Sequence, residues 1–225
     1  MGFRHVIWDM GGTLVDTYPQ VDAAIRDALN QALLSDDAAA SLASDVGAVS
    51  GPVSIDEIAH LTRISIETAV ESLAANYGVD RDILDRAYDQ VKDGWKSEPA
   101  PVMAGACEVM ATIADRGGLN LVVTHRDRES ASTLVRELAL PVDDMICAPD
   151  GFPRKPSPAM YELICERHGI APEECLAVGD REIDIQAAHA AKIRAALLET
   201  PGIPVESEAE FHLTALDQLL PVLEN

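Results

Sequence analysis

Four short runs of this 225-residue chain carry side chains that could do chemistry. They are Asp9-Met10-Gly11-Gly12-Thr13, Thr124-His125-Arg126, Arg154-Lys155-Pro156, and Gly179-Asp180 with Asp184 four residues further on. Together they bring the carboxylates of Asp9, Asp180 and Asp184, the hydroxyl of Thr124 and the ammonium of Lys155. Carboxylate oxygens suit a hard cation such as Mg²⁺. Such a cation neutralises phosphate oxygens and lets an anionic nucleophile approach them. A lysine, a hydroxyl and the N–H groups of a glycine-rich loop can hold the remaining oxygens. A carboxylate nucleophile then gives a covalent aspartyl-phosphate. These residue types therefore describe metal-assisted phosphoryl chemistry.

The elements that must position them can be read from periodicity. His5 to Trp8 is a short apolar run that predicts a buried strand ending at Asp9. After Pro99 and Pro101, strand and helix patterns alternate. Helices are expected over Gly105–Arg116, Arg128–Leu138, Ser157–His168 and Ile183–Lys192, with strands over Leu119–Thr124, Met145–Ala148, Cys175–Val178 and, last, Ala195–Leu198. A weak helix is expected at Leu213–Leu220. Alternation of this kind predicts a parallel sheet covered on both faces. In an open parallel sheet the site forms at the carboxyl ends of the strands, which is where all four runs fall.

Between the first strand and the rest, Pro19 to Lys96 reads as helix throughout. Val21, Ile25, Ala28, Leu29 and Ala32 share one helical face. Ser54 with Glu57 has the form of a capping box, and Ser65 that of an N-cap. A third helix stops at Gly78. A fourth follows Asp80, with Ile83, Leu84, Ala87 and Val91 facing inward. Ser35–Ser44 is read as a helix–helix connection. The expected architecture is an α/β core, residues 1–16 and 97–225, with an inserted all-helical cap, residues 17–96, hinged near Thr17–Pro19 and Lys96–Pro101. Asp16 is read as stabilising the turn, and Trp8 and Trp95 as packing residues, with Trp95 lining the hinge.

Apolar residues make up 48% of the chain, enough for a full core, and aromatics only 4%, so Ala, Leu, Val and Ile must fill it. The formal net charge of −21 opposes binding to nucleic acid and to anionic membranes. It also opposes an anionic substrate, so a phosphate site must be locally cationic. Arg126, Arg128, Arg154, Lys155 and Arg181, five of the seventeen basic residues, flank the four runs and predict a cationic rim. The four cysteines, Cys107, Cys147, Cys165 and Cys175, lie far apart in sequence without Cys-x-x-Cys or zinc-like spacing, and are read as buried free thiols. His5, His60, His168, His189 and His212 show no ligand spacing. With neither a signal-peptide pattern nor a membrane-length apolar run, a cytoplasmic protein is expected, as monomer or homodimer.

The succession Asp9-x-x-Gly12-Thr13-Leu14-x-Asp16-Thr17, then Thr124, then Lys155-Pro156-x-Pro158, then Gly179-Asp180-x-x-x-Asp184 resembles the four motifs of the haloacid dehalogenase superfamily. The helical insertion directly after the first motif is similar to that of the phosphoglycolate phosphatase-like subfamily, and the resemblance covers essentially the whole chain. It implies a Rossmann-like parallel sheet and a small phosphorylated metabolite as substrate. It further implies Asp9 as nucleophile, Mg²⁺ held by Asp9, Asp180, Asp184 and the backbone carbonyl of Gly11, and a phosphoryl group held by Gly12, Thr13, Thr124, Arg126 and Lys155. Lys155 also orients Asp9.

Gly11 departs from the pattern, because phosphatases of the superfamily usually carry a second Asp there as general acid and base. That help is worth roughly 10²–10⁴-fold in rate, so weak turnover of poor leaving groups is expected. His125 is the best-placed substitute base. The alternatives are a catalytically impaired homologue that binds a phosphorylated ligand or a protein, and phosphonate cleavage. The latter uses a Schiff-base lysine early in the cap, and residues 17 to 91 contain no lysine. Dehalogenation is disfavoured, because those members need no Mg²⁺ and differ in the fourth motif.

Overall fold

A parallel strand covered on both faces is a continuous apolar run, and β1 (His5–Trp8) is one: all four residues are buried. In the computed structural model, which describes residues 2–34 and 53–224, β1 lies at the centre of a six-stranded, wholly parallel sheet of order β3-β2-β1-β4-β5-β6. Ile7 stands opposite Leu121 of β2 (Asn120–Thr124) and Ala177 of β4 (Cys175–Gly179). Outside these lie β3 (Asp144–Cys147) and β5 (Arg194–Leu198).

The sixth strand, β6 (Phe211–Leu213), corrects the sequence reading, which ended the sheet at Leu198. It is an edge strand of three residues of which only Leu213 is buried, too short for its apolar–polar–apolar order to stand out. The C-terminal helix is correspondingly shorter, Leu219–Glu224.

Side-chain alternation sorts the sheet into two faces. Ile7, Leu121, Val123, Ala177, Ala195 and Leu197 share one buried cluster with Met160, Tyr161 and Ile164 of an α-helix at Ala159–His168 and with Ile185, Ala187 and Ala188 of another at Glu182–Ala190. Val6, Trp8, Val122 and Val178, which alternate with these, are fully buried on the opposite face. There Trp8 packs as expected, and its indole N–H donates to Asn120 Oδ1 at 3.1 Å.

The chain forms two compact units, Met1–Asp16 with Pro99–Asn225, and Thr17–Glu98. Within the second unit four helices are described: α1 (Tyr18–Leu34), α2 (Ile55–Ile64), α3 (Ile66–Tyr77) and α4 (Arg81–Gly94). The predicted connection at Ser35–Ser44 lies outside the described residues. Ser65 caps α3 by accepting from Thr68 N–H at 2.9 Å, and α3 ends at Gly78 with φ 64°. The capping box at Ser54 does not form. Ser54 accepts from Asp56 N–H, and Glu57 instead accepts from the Tyr77 hydroxyl at 2.6 Å. On α4 only Leu84 is buried; Ile83, Ala87 and Val91 are half-buried. Trp95 is buried and donates to Gln20 Oε1. A buried ion pair joins Arg63 to Asp22, which also accepts from Thr62 Oγ1 at 2.7 Å.

In the first unit, α5 (Ala106–Asp115), α6 (Arg128–Glu137), α7 (Ala159–His168), α8 (Glu182–Ala190) and α9 (Leu219–Glu224) follow in order. The chain leaves and re-enters this unit side by side. Val15 bridges Val102 in antiparallel fashion, Asp16 N–H donates to Pro101 C=O at 2.8 Å, and Met103 N–H to Leu14 C=O at 2.9 Å. Cys147, Cys165 and Cys175 are buried, but Cys107, outside the buried set Ala106, Val109, Met110 and Ile113 of α5, is exposed, contrary to expectation. No helix among the described residues is long and apolar enough to cross a membrane.

Candidate active site

Asp9 continues the line of β1, its N–H donating to Val178 C=O of β4 at 2.8 Å. The chain then turns sharply. Leu14 and Val15 N–H both donate to Met10 C=O at 2.9 Å, and Gly12 N–H donates to Val15 C=O at 2.8 Å. Met10, Leu14 and Val15 are fully buried and pin the turn from beneath. Gly12 adopts φ 87°, where a side chain would be strained. Since its N–H is already engaged within the turn, Gly12 serves as a turn former and its amide is not aimed at a phosphate.

Asp180 follows β4 directly, and Asp184 sits in the first turn of α8. Asp180 Oδ1 accepts from the buried Thr13 hydroxyl at 2.9 Å, so Thr13 ties the first motif to the fourth. Asp184 Oδ2 accepts from Arg181 N–H at 3.2 Å, with the Arg181 guanidinium 3.9 Å away. Gly179 makes room for this: a Cβ there would stand 2.4 Å from Asp184 Cβ.

Lys155 reaches the same place from the loop after β3. Its Nζ lies 2.6 Å from Asp9 Oδ1 and 2.7 Å from Asp184 Oδ1, and its side chain is wholly buried. Burial disfavours its charge, but Asp184 and Asp9 outweigh that and hold the ammonium well above its ordinary pKa. Burial likewise opposes ionisation of Asp184; Lys155, Arg181 and the hydrogen bonds overcome it, and its carboxyl lies below the usual value. For Asp9 burial wins over Lys155, with Asp184 adding repulsion, and its pKa is raised.

Asp9, Asp180 and Asp184 each offer an oxygen, all within 4.8 Å of one another. Three carboxylates against the Lys155 ammonium and the Arg181 guanidinium still leave negative charge in excess. An all-oxygen donor set with that excess fits a hard divalent cation. No other such cluster occurs among the described residues. Gly11, half-buried and bridged to Val15, has no side chain to contribute.

Thr124 ends β2 and is buried, with Oγ1 accepting from Arg126 N–H at 3.2 Å, which leaves the hydroxyl proton for an acceptor in the site. Arg126 Nη1 donates to Ser130 Oγ at 3.1 Å. His125 is turned to another use. Its Nε2 accepts from Lys155 N–H at 2.8 Å, which places the ring proton on Nδ1. Burial first, then Lys155, Arg154 and Arg181, pushes its pKa down to about 4. The expected cationic rim is narrower than five residues. Arg128 binds Asp150 at 2.6 Å and Met145 C=O, and Lys155 is buried beneath. Arg181 in turn faces Asp184.

Tyr161 has no place in the sequence reading. It lies on the inner face of α7, fully buried, with the Lys155 ammonium 6.0 Å from its ring centroid and its hydroxyl without a hydrogen-bond partner among the described residues. Its only signal is that it falls six residues after Lys155 on the apolar side of a helix. The histidines other than His125 have local partners. His5 accepts from Leu119 N–H, His60 pairs with Asp56 C=O, and His168, His189 and His212 pair with Asp144, Glu210 and Glu199.

The family model for haloacid dehalogenase-like hydrolases matches residues 3–192. The chain belongs to that family. It is thus a hydrolase. Among relatives, the phosphoglycolate phosphatase of Rhodospirillum rubrum is 27% identical over 201 residues, covering 84% of this chain and 77% of that one. That of Pectobacterium atrosepticum is 29% identical over 193 residues, covering 85% and 78%. A crystal structure of a hydrolase of this family from Deinococcus radiodurans, with bound phosphate and sodium, superposes with a TM-score of 0.75 at 20% identity, covering 99% of this chain and 95% of that one. The fold of this family member is therefore that of its structural relatives, an α/β parallel sheet flanked by helices.

Proposed function

We propose that this hydrolase cleaves a phosphate monoester of a small metabolite, with Asp9 as nucleophile and Mg²⁺ as cofactor, in the cytoplasm and as a monomer or homodimer. The observation that carries the reading is the buried set Asp9–Lys155–Asp184 with Asp180 beside it. The names of the relatives make 2-phosphoglycolate the first substrate to assay.

Lys155 holds Asp9 Oδ1, which leaves Oδ2 for attack on phosphorus. As the Oδ2–P bond forms, the P–O bond to the leaving group breaks. The Thr124 hydroxyl and Arg126 take phosphoryl oxygens, and Lys155 offsets the charge that gathers on them. Asp9, Asp180 and Asp184 would hold Mg²⁺, which when bound neutralises carboxylate and phosphoryl charge. Water then displaces Asp9 from phosphorus and releases phosphate. His125 is a positioning residue in this scheme: its Nε2 lone pair is taken by Lys155 N–H, so it orients the loop that delivers the ammonium.

Gly11 gives no proton to the leaving group and takes none from water. Leaving groups that depart unprotonated, such as aryl and acyl phosphates, should therefore be favoured over alkyl esters. The same residue favours the second reading, a homologue that binds a phosphorylated ligand and turns it over poorly. Release of phosphate from 2-phosphoglycolate and p-nitrophenyl phosphate, with Mg²⁺ and with chelator, on wild type and Asp9→Asn, separates the two. Mg²⁺-dependent turnover lost in Asp9→Asn supports hydrolysis. Ligand binding without turnover supports the second reading. Turnover that survives Asp9→Asn removes Asp9 as nucleophile.

A further inference from the structure

Outside the carboxylate site, one pair of nucleophilic side chains is brought together by the fold although ten positions separate it in sequence. Cys165, near the end of α7, and Cys175, the first residue of β4, have their sulfurs 3.9 Å apart. One thiol donates to the other. Both lie in the apolar cluster beneath the sheet, Cys175 at 0% exposure and Cys165 at 5%. The turn between them is short and firmly set: Ile170 N–H donates to Cys165 C=O, Gly169 takes φ 61°, and a single 3₁₀ turn spans Pro172–Glu174. No metal-ligating group joins the two sulfurs among the described residues.

We infer that Cys165 and Cys175 form a dithiol that a hydroperoxide closes to an intramolecular disulfide. The sulfurs are in contact, and bonding needs them to approach by only about 1.9 Å, to the usual S–S length of about 2.05 Å. Cys165, the more accessible, attacks the peroxide oxygen. A sulfenic acid forms on Cys165, the O–O bond breaks, and an alcohol leaves, or water if the oxidant is hydrogen peroxide. Cys175 then attacks the sulfenic sulfur, the S–S bond forms, and a water carries off the oxygen with the second thiol proton. Two electrons leave the dithiol and two reduce the peroxide.

The bridge would join the end of α7, the helix that follows Lys155, to the start of β4, the strand that leads to Asp180. Cys175 is at the far end of β4 from the carboxylates, so the bridge stiffens the frame of the site without touching its chemistry. A closed loop of this length raises the melting temperature by roughly 5–10 °C, from the usual entropy of loop closure and the size of the chain.

The test uses the full chain. The exposed Cys107 is alkylated first under native conditions, so that it cannot cross-link molecules. Hydrogen peroxide is then added, the protein is unfolded without reductant, and remaining thiols are labelled with a second, heavier alkylating agent before peptide mass analysis. The expected result is a Cys165–Cys175 cross-linked peptide from monomeric protein, with Cys147 carrying the heavy label, and a rise in melting temperature that dithiothreitol reverses and Cys175→Ala abolishes. Heavy label on both Cys165 and Cys175 after peroxide, or their conversion to sulfinic acids without a cross-link, would overturn the inference. So would a rise in melting temperature that persists in Cys175→Ala.

Discussion

Replacing Lys155 by Met should show that the buried site is held together by charge. Met keeps the length and much of the volume of the side chain, so the change leaves little cavity. What it removes is the ammonium that touches Asp9 at 2.6 Å and Asp184 at 2.7 Å with no access to solvent. Two buried carboxylates then lose their cation. Breaking a buried ion pair from one side costs about 3–5 kcal/mol. For a chain of this size each kcal/mol moves the melting temperature by about 2–4 °C, so a fall of about 6–20 °C is expected. Saturating Mg²⁺ should restore more stability in Lys155→Met than it adds to wild type, since a ligand present at a hundred times its dissociation constant contributes about 2.7 kcal/mol. Neutralising the ion-paired trio, Asp9→Asn with Lys155→Met and Asp184→Asn, should recover most of the loss, because neither carboxylate that paired with Lys155 then stays buried as a charge. Thermal unfolding followed by circular dichroism measures all three. A Lys155→Met protein that melts within about 2 °C of wild type, or gains no more from Mg²⁺ than wild type does, refutes the electrostatic account.

Four further outcomes follow from the same geometry. Gly179→Ala places a methyl 2.4 Å from Asp184 Cβ and 2.7 Å from its Cγ, so it should cost about 1–3 kcal/mol and weaken Mg²⁺ binding measured by calorimetry; unchanged binding would show that Asp184 can shift freely. Tyr161→Phe removes a buried hydroxyl that has no partner among the described residues, so melting should hold steady or rise, and a fall of more than about 3 °C would reveal a partner for that hydroxyl. Gly11→Asp should raise the hydrolysis rate of an alkyl phosphate by about 10²-fold or more and that of p-nitrophenyl phosphate much less; equal gains would mean that leaving-group protonation is not what the wild type lacks. Burial opposes the charge of Glu210, but Ala195 N–H and His189 hold its carboxyl below the ordinary 4.5. Its contribution is therefore complete above that value and is lost as pH falls through the lower folded value, so Glu210→Gln should flatten the acid limb of a stability–pH curve, and an unaltered limb would contradict the assignment.

Much of the site could be read in advance because a parallel sheet writes itself plainly into sequence. Each buried strand is an apolar run, and the polar residues just beyond it have to stand at one edge. Asp9, Thr124 and Asp180 were legible for that reason. Lys155 was legible only through its motif, since nothing in a loop lysine announces burial between two carboxylates. Three features could not be seen. β6 escapes because three residues are too few for an apolar–polar–apolar order to be told from chance. The engagement of the Gly12 N–H and of the His125 Nε2 escapes because hydrogen-bond partners in turns depend on backbone angles rather than on residue type. The proximity of Cys165 and Cys175 escapes because it depends on how a helix end meets a strand start, a distance fixed by tertiary packing.

The place where the chain departs from the α/β unit and returns has a consequence for modular change. Leu14–Asp16 and Pro101–Met103 run antiparallel and are tied by backbone hydrogen bonds, so whatever lies between them is inserted at a gap already closed. The entropy of bringing those ends together grows only slowly with the length of the insert. Evolution or a protein engineer can therefore lengthen, shorten or exchange the helical segment almost as a cassette, while the strand that carries Asp9 stays in register. A version in which a short flexible linker joins Asp16 to Pro99 should still fold its sheet, and it would separate what the sheet edge recognises alone from what the inserted helices add.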